Sequence, residues 1–315
     1  MKDLRILFMG TPQFATTILE SIINAGYNVV GVVTAPDKPA GRGRKLNESD
    51  VKQFALKNNL KVLQPTNLKS EEFQEQLKEL EPNLSVVVAF RMLPEKVWKF
   101  PEYGTFNLHA SLLPQYRGAA PIHWAIINGE KTTGVSTFFI DEKIDTGAMI
   151  LQKETPISEK DTVGTLHDKL MHLGSDTVIE TLSLIASDKT TTTPQPKTDG
   201  LKTAYKLNND NTEIDWSQSL EVIYNKIRGL NPFPVAWTTL HNDGDELRMK
   251  LYAVKKEFEA HSLKHGKVFI EEKNIKIAVV GGYIIVEELQ LPNKRKMAAK
   301  DLLNGFSFTE ESYVV

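Results

Sequence analysis

The chain contains no cysteine, which excludes a disulfide framework, a zinc ribbon, a thiolate nucleophile and an iron–sulfur cluster. That absence fits a reducing cytoplasm, the expected location. Long hydrophobic runs are also missing. A membrane span needs about 18 consecutive apolar residues, whereas the longest stretches here, such as Leu84 to Phe90, are strand length. At the N-terminus Lys2, Asp3 and Arg5 lead straight into Ile6-Leu7-Phe8-Met9-Gly10. This is too short for a signal h-region and has no small-residue cleavage site, so it reads as the first core strand. Neither sign of charge dominates: 38 basic against 40 acidic residues leave a net charge of −2. A polyanionic partner must therefore be held by local basic patches rather than by a global field. With 315 residues, 41% apolar and 25% charged, the composition is that of a soluble chain long enough for two domains.

The first 90 residues alternate apolar runs with amphipathic stretches. Leu4 to Met9, Val29 to Thr34, Val62 to Leu63 and Leu84 to Phe90 are strand candidates, separated by helical patterns at Phe14 to Ala25, Asp50 to Asn58 and Ser70 to Leu80. Strands apolar on both faces, with helices between them, predict an α/β domain with a doubly wound, mainly parallel sheet. Further strands are expected at Thr105 to Ala110, Val135 to Ile140 and Met149 to Pro156, and helices at Ala119 to Asn128 and Thr162 to Ile185. From Ala186 the apolar content collapses into Ser187-Asp188-Lys189-Thr190 and the prolines Pro194 and Pro196, so residues 187–207 read as a linker. A helical pattern at Ser219 to Leu230 and short strands at Ala236 to Leu240, Met249 to Val254, Gly266 to Ile270, Ile275 to Val279 and Tyr283 to Leu289 follow, spaced like a small antiparallel barrel. The expected domains are thus 1–186 and 208–315.

The segment Phe106-Asn107-Leu108-His109 carries the most chemistry. Strand alternation puts Asn107 and His109 on one face, near the C-terminal end where open α/β sheets bind ligands. An amide donor beside an imidazole suits acyl transfer, in which one binds an oxyanion and the other moves a proton. Two satisfied polar residues at a strand end would look the same. If the strand Val135 to Ile140 is parallel, Asp145 also follows it at the ligand edge, where it could turn back to orient His109 and favour its charged form. Asp145-Thr146-Gly147 is equally the pattern of a plain turn.

Other constellations are incomplete. A dinucleotide fingerprint needs three glycines, but only Gly10 is present, with Pro12 and Ala15 at the other two positions, which argues against a nicotinamide cofactor. No serine nucleophile arrangement is visible. His261 and His265 lack a third ligand, and His167 and His172 are five apart and share no helix face, so no metal is expected. Pro36 to Lys45 holds Lys38, Arg42, Arg44 and Lys45 among prolines and glycines, an exposed basic loop suited either to solvent or to phosphate. Lys294-Arg295-Lys296 is a second, shorter candidate.

Taken together, Phe8-Met9-Gly10-Thr11-Pro12, Pro39-Ala40-Gly41-Arg42-Gly43, Asn107 through Pro114 on to Ile122, Asp145-Thr146-Gly147, Ile214-Asp215-Trp216 and Asn231-Pro232-Phe233-Pro234 closely resemble the methionyl-tRNA formyltransferases. The resemblance runs the whole length. It implies a Rossmann-like formyltransferase domain followed by an OB-like β-barrel that holds tRNA. The implied reaction is formyl transfer from 10-formyltetrahydrofolate, a cosubstrate, to the methionine α-amine of initiator Met-tRNA. Asn107, His109 and Asp145 fall on the family's catalytic positions, Ser111, Leu112, Leu113 and Pro114 on its folate-binding segment, and Arg42, Arg44 and Lys45 on its tRNA-contacting loop. Phe90-Arg91-Met92-Leu93 departs from the Tyr-Gly pair that relatives often carry after the fourth strand. A monomer without membrane or metal is expected. The catalytic core specifies reaction more than acceptor, so a formyltransferase acting on a small amine, glycinamide ribonucleotide or an amino sugar, is the alternative.

Overall fold

The computed structural model describes residues 2–40 and 45–315. In chain order the first elements are β1 (Arg5–Gly10), α1 (Gln13–Asn24), β2 (Asn28–Val33), β3 (Lys38–Ala40), β4 (Lys45–Asn47), α2 (Asp50–Lys57), β5 (Val62–Leu63), α3 (Glu71–Leu80) and β6 (Leu84–Val88). Next come α4 (Glu95–Trp98), β7 (Thr105–His109), β8 (Arg117–Gly118), α5 (Pro121–Ile127), β9 (Thr132–Phe139), β10 (Met149–Pro156), α6 (Val163–Ala186) and β11 (Thr203–Ala204). The remainder is α7 (Leu220–Leu230), β12 (Ala236–Asn242), β13 (Asp245–Phe258), β14 (Val268–Glu271), β15 (Asn274–Val279), β16 (Gly282–Gln290), β17 (Met297–Ala298), α8 (Ala299–Leu302) and β18 (Tyr313–Val314). Two compact units result. One comprises Met1–Gly118, Thr133–Thr155 and His167–Thr203; the other comprises Ala119–Thr132, Pro156–Leu166 and Ala204–Val315.

The first unit is built on a seven-stranded sheet of order β10-β9-β7-β6-β1-β2-β5. The five strands from β5 to β7 are parallel, as their apolar character on both faces requires. Leu7 and Met9 of β1 pack with Val87 and with Phe73, Leu77 and Leu80 of α3. The opposite face meets α1 and α6: a Cβ on Gly174 of α6 would lie 2.8 Å from the Leu108 side chain and 3.5 Å from that of Ile18. Ser49 and Ser70 cap α2 and α3 by accepting the backbone N–H three residues on. The basic loop is flanked by a two-stranded antiparallel ribbon, Lys38 opposite Asn47 and Ala40 opposite Lys45. Pro39 is admissible there because a two-stranded edge leaves one set of N–H groups unpaired anyway.

In the second unit, antiparallel strands run in the order β14-β15-β16-β13-β12-β18. Val314 N–H donates to Gly266 O at 2.8 Å and Val268 N–H to Ser312 O at 3.0 Å, so the last strand brings the sheet back to its start as a nearly closed barrel. Its core joins Met249, Leu251, Ile277 and Ile284 to Ile223, Ile227 and Leu230 of α7. β12 buries every second residue, including Thr238, whose hydroxyl accepts from Trp216 Nε1 at 2.9 Å and donates to Val315 O at 2.6 Å. The buried Arg228 guanidinium donates to Ser158 O and Asp161 O, which ties segment 156–166 to α7. No helix among the described residues is long and apolar enough to cross a membrane.

Candidate active site

The pleat of β7 does what the alternation predicts. Asn107 lies opposite Val87 of β6 and Phe138 of β9, and strand neighbours in register share a face. Asn107 and His109 therefore stand on the side where Val87 packs, while Phe106 and Leu108 are buried on the other. Asn107 is half-buried, and no hydrogen bond engages its amide among the described residues. His109 is only 7% exposed. Its Nε2 lies 2.8 Å from the Tyr116 carbonyl, which can only accept, so this nitrogen carries a proton. Nδ1 then faces Asp145 Oδ2 across 3.8 Å, beyond hydrogen-bond reach, so this nitrogen is left without a hydrogen-bond partner among the described residues.

Asp145 does turn back toward His109, but not from the end of a parallel strand. β9 runs antiparallel to β7, with Ser136 opposite His109 and Phe139 opposite Phe106. The end of β9 is therefore at the N-terminal end of β7, and residues 140–147 must travel back to reach the imidazole. The sign of a strand's direction is not written in its own residues; here the connection sets it. The returning loop is tightly determined. Asp145 has φ +55°, a left-handed conformation uncommon for a non-glycine residue. A Cβ on Gly147 would sit 1.6 Å from Phe139 O, so only glycine fits. Gly118 N–H donates to Asp145 Oδ2 at 2.9 Å. Gln195 Nε2 donates to both Asp145 O and Gly147 O at 2.9 Å, and its Oε1 accepts from Arg117 Nε at 3.1 Å and Nη2 at 2.6 Å.

Downstream of His109, the segment Ser111 to Pro114 spends its polar groups internally. Ser111 is buried, its Oγ donating to Gln115 O at 2.7 Å. Ser136 Oγ donates to Ser111 O and accepts from Leu113 N–H, and Gln152 Nε2 donates to Leu113 O. Leu113 is buried too, and Leu112 and Pro114 are half-buried. The backbone is thus fixed while these two side chains keep partial exposure. Arg42 and Arg44, and the side chain of Lys45, lie outside the described residues. The β1–α1 turn needs Gly10 for close packing, since a Cβ there would meet Ala15 Cβ at 2.5 Å.

A cleft of about 680 Å³ in the second unit sets Arg248, Lys250 and Trp237, which nothing in the sequence singled out, beside Phe233 of the Asn231–Pro234 motif. Lys206, Arg248 and Lys250 line it with Trp237, and with Phe233, which is 77% exposed. Trp237 pairs with Lys250 across β12 and β13, which makes Arg248 its diagonal neighbour; the guanidinium lies 3.8 Å from the indole centroid. No carboxylate is among the described residues that line the cleft. Lys294, Arg295 and Lys296 are not part of it, and Lys296 pairs with Glu288 at 2.9 Å. His261 Nε2 is engaged by Val279 O and Gly282 O, and His167 packs edge-on to Phe14.

A formyl transferase model matches residues 4–182, and a formyl transferase C-terminal domain model matches residues 206–307. A methionyl-tRNA formyltransferase of Flavobacterium johnsoniae is 57% identical over 314 residues, covering 100% of each chain. Another, from Bacteroides fragilis, is 49% identical over 98% of this chain and 97% of its own. Among solved structures, the N-formyltransferase from Helicobacter canadensis in complex with folinic acid and dTDP-3-aminofucose superposes with a TM-score of 0.64 at 20% identity, over 90% of this chain and 98% of that one. At that identity the likeness concerns the fold. With both formyl transferase models matched and identities of 49% to 57% along its whole length, the chain belongs to the methionyl-tRNA formyltransferase family.

Proposed function

We propose that the protein transfers the formyl group of 10-formyltetrahydrofolate to the α-amine of methionine on initiator Met-tRNA. The observation that carries this reading is the Asn107 amide, unengaged among the described residues, beside the buried His109, with Asp145 facing Nδ1. The uncharged amine attacks the formyl carbon, and Asn107 donates an N–H to the oxygen as its charge grows. Such a donor contributes about 2.7–4 kcal/mol to lowering the barrier. The His109 ring lends positive charge to the same oxygen. Because Nε2 is held by the Tyr116 carbonyl, Nδ1 is the nitrogen that gives its proton to the departing folate nitrogen. The proton lost by the attacking amine returns to the His109–Asp145 pair, which ends the reaction as it began.

Ser111, Leu112, Leu113 and Pro114 line the folate donor in this reading, on a backbone braced by Ser136 and Gln152. Residues 1–186 hold the donor and 208–315 the tRNA, with Arg42, Arg44 and Lys45 at its acceptor end. The cleft of Lys206, Arg248 and Lys250 supports an RNA partner, because cations without interspersed carboxylates hold phosphates and exposed aromatic rings stack on bases. The test mixes purified protein with 10-formyltetrahydrofolate and methionine-charged initiator or elongator tRNA and follows formylmethionine. Fast formylation of the initiator alone is the expected result. Absence of product with either tRNA, from folded protein that binds donor, would move the acceptor to a small amine.

A further inference from the structure

The stretch 191–200 is exposed at every position but one, Gln195, which is half-buried between Pro194 and Pro196. Two residues earlier, Thr193 exchanges both backbone hydrogen bonds with Met149, each 2.9 Å. A primary amide has two N–H donors and an oxygen with two acceptor sites. Gln195 uses all of them: both donors close onto Asp145 O and Gly147 O, and the oxygen receives two N–H groups of Arg117. This saturation fixes which way the amide points, since the flipped amide would set oxygen against two carbonyls and N–H against a guanidinium.

The loop it grips needs such a hold. Asp145 sits at φ +55°, a left-handed conformation that is uncommon in a non-glycine residue and costs backbone strain that neighbouring contacts must offset. Gly147 abuts Phe139 O, and Gly118 N–H reaches the carboxylate from the residue next to Arg117. We infer that Gln195 is a positioning residue for the formyl transfer: through the main chain of residues 145–147 it sets where the Asp145 carboxylate stands relative to His109. The inference rests on the reaction proposed above. It assigns a role to the segment expected only to link two domains.

The test is a double-mutant cycle in single-turnover formylation, with donor affinity and thermal unfolding measured in parallel. Gln195→Met keeps the side-chain length and removes all four hydrogen bonds; Asp145→Asn removes the charge being positioned. Gln195→Met is expected to lower the rate at saturating substrates about tenfold or more in the otherwise native protein, and by less than about twofold in the Asp145→Asn protein. A packing role alone would give the same loss in both backgrounds. Should Gln195→Met not fold, Gln195→Glu enters the same cycle, because it retains a partner for Arg117 while turning acceptors on the two carbonyls. A loss below about threefold in the native background, or equal losses in both, overturns the proposal. If the unmodified protein formylates neither tRNA, it is the underlying reaction that fails, a result distinct from either outcome of the cycle.

Discussion

Replacing Asn107 by alanine should separate catalysis from stability more cleanly than any other change in the site. The amide is half-buried and makes no hydrogen bond among the described residues, so its loss leaves no buried partner unsatisfied and no large void. Unfolding free energy should therefore change by less than about 1 kcal/mol, the range for substitutions that break no specific feature. If the amide meets the oxyanion, the turnover rate falls by about 10²–10³, as for removal of one such donor elsewhere. The contrast is His109→Ala, which empties a buried site and takes away the ring N–H on the Tyr116 carbonyl; there a loss of about 1–3 kcal/mol in stability accompanies the loss of rate. The assay is single-turnover formylation of charged initiator tRNA, with urea unfolding on the same preparations. An Asn107→Ala protein that turns over within about threefold of the parent, or that is destabilised by more than about 2 kcal/mol, would refute the reasoning.

Gly147→Ala, whose Cβ would overlap Phe139 O, should displace the Asp145 loop and lower the formylation rate at least about tenfold while the far-ultraviolet circular dichroism of the fold persists. Arg248→Ala and Lys250→Ala should each raise the KM for tRNA with donor affinity unchanged and reduce the salt slope of tRNA binding by about one ion; an unchanged slope would remove the cleft from the RNA interface. Hydrogen bonds from Ser217 Oγ, then Gln218 Nε2 and the Ser217 N–H, hold the Asp215 carboxyl below the usual carboxylate range. Its contribution to stability is complete above the unfolded-state value of about 4 and is lost as pH falls through the lowered folded-state value. The stability difference between parent and Asp215→Asn should therefore shrink on acidification in a series of denaturant melts, and a difference independent of pH would contradict the assignment.

What the sequence made legible follows from physics that acts locally. Parallel strands covered on both faces have no polar alternation, so β1, β2 and β6 stand out as apolar runs. β7 interrupts that rule with Asn107 and His109 at a spacing of two, which by itself puts both on one face. Nothing comparable encodes the direction of β9, whose residues would suit either orientation. The partners of Gln195 are equally silent, because two of them are backbone carbonyls and every residue has one. Arg248 and Trp237 come together only through the register of β12 and β13. That pairing is visible once the strands are aligned, and not before.

The three residues proposed for catalysis are thus placed by unlike means. Asn107 and His109 inherit their relation from a strand whose hydrogen-bonded neighbours on either side leave it little freedom. Asp145 inherits nothing from β9, which ends at the opposite end of β7, and its position depends on contacts from Gly118 and Gln195, distant in sequence from one another. A substitution in a strand core costs stability before it moves a catalytic atom, since close-packed surroundings resist displacement. A substitution at Arg117, Gln195 or Gly147 acts the other way, because these residues fix a loop in a conformation it would not otherwise hold. Loss of rate without loss of fold should therefore concentrate around the Asp145 loop and its braces as well as at Asn107. A scan of the whole first unit by both activity and unfolding would show whether the two effects divide along that line.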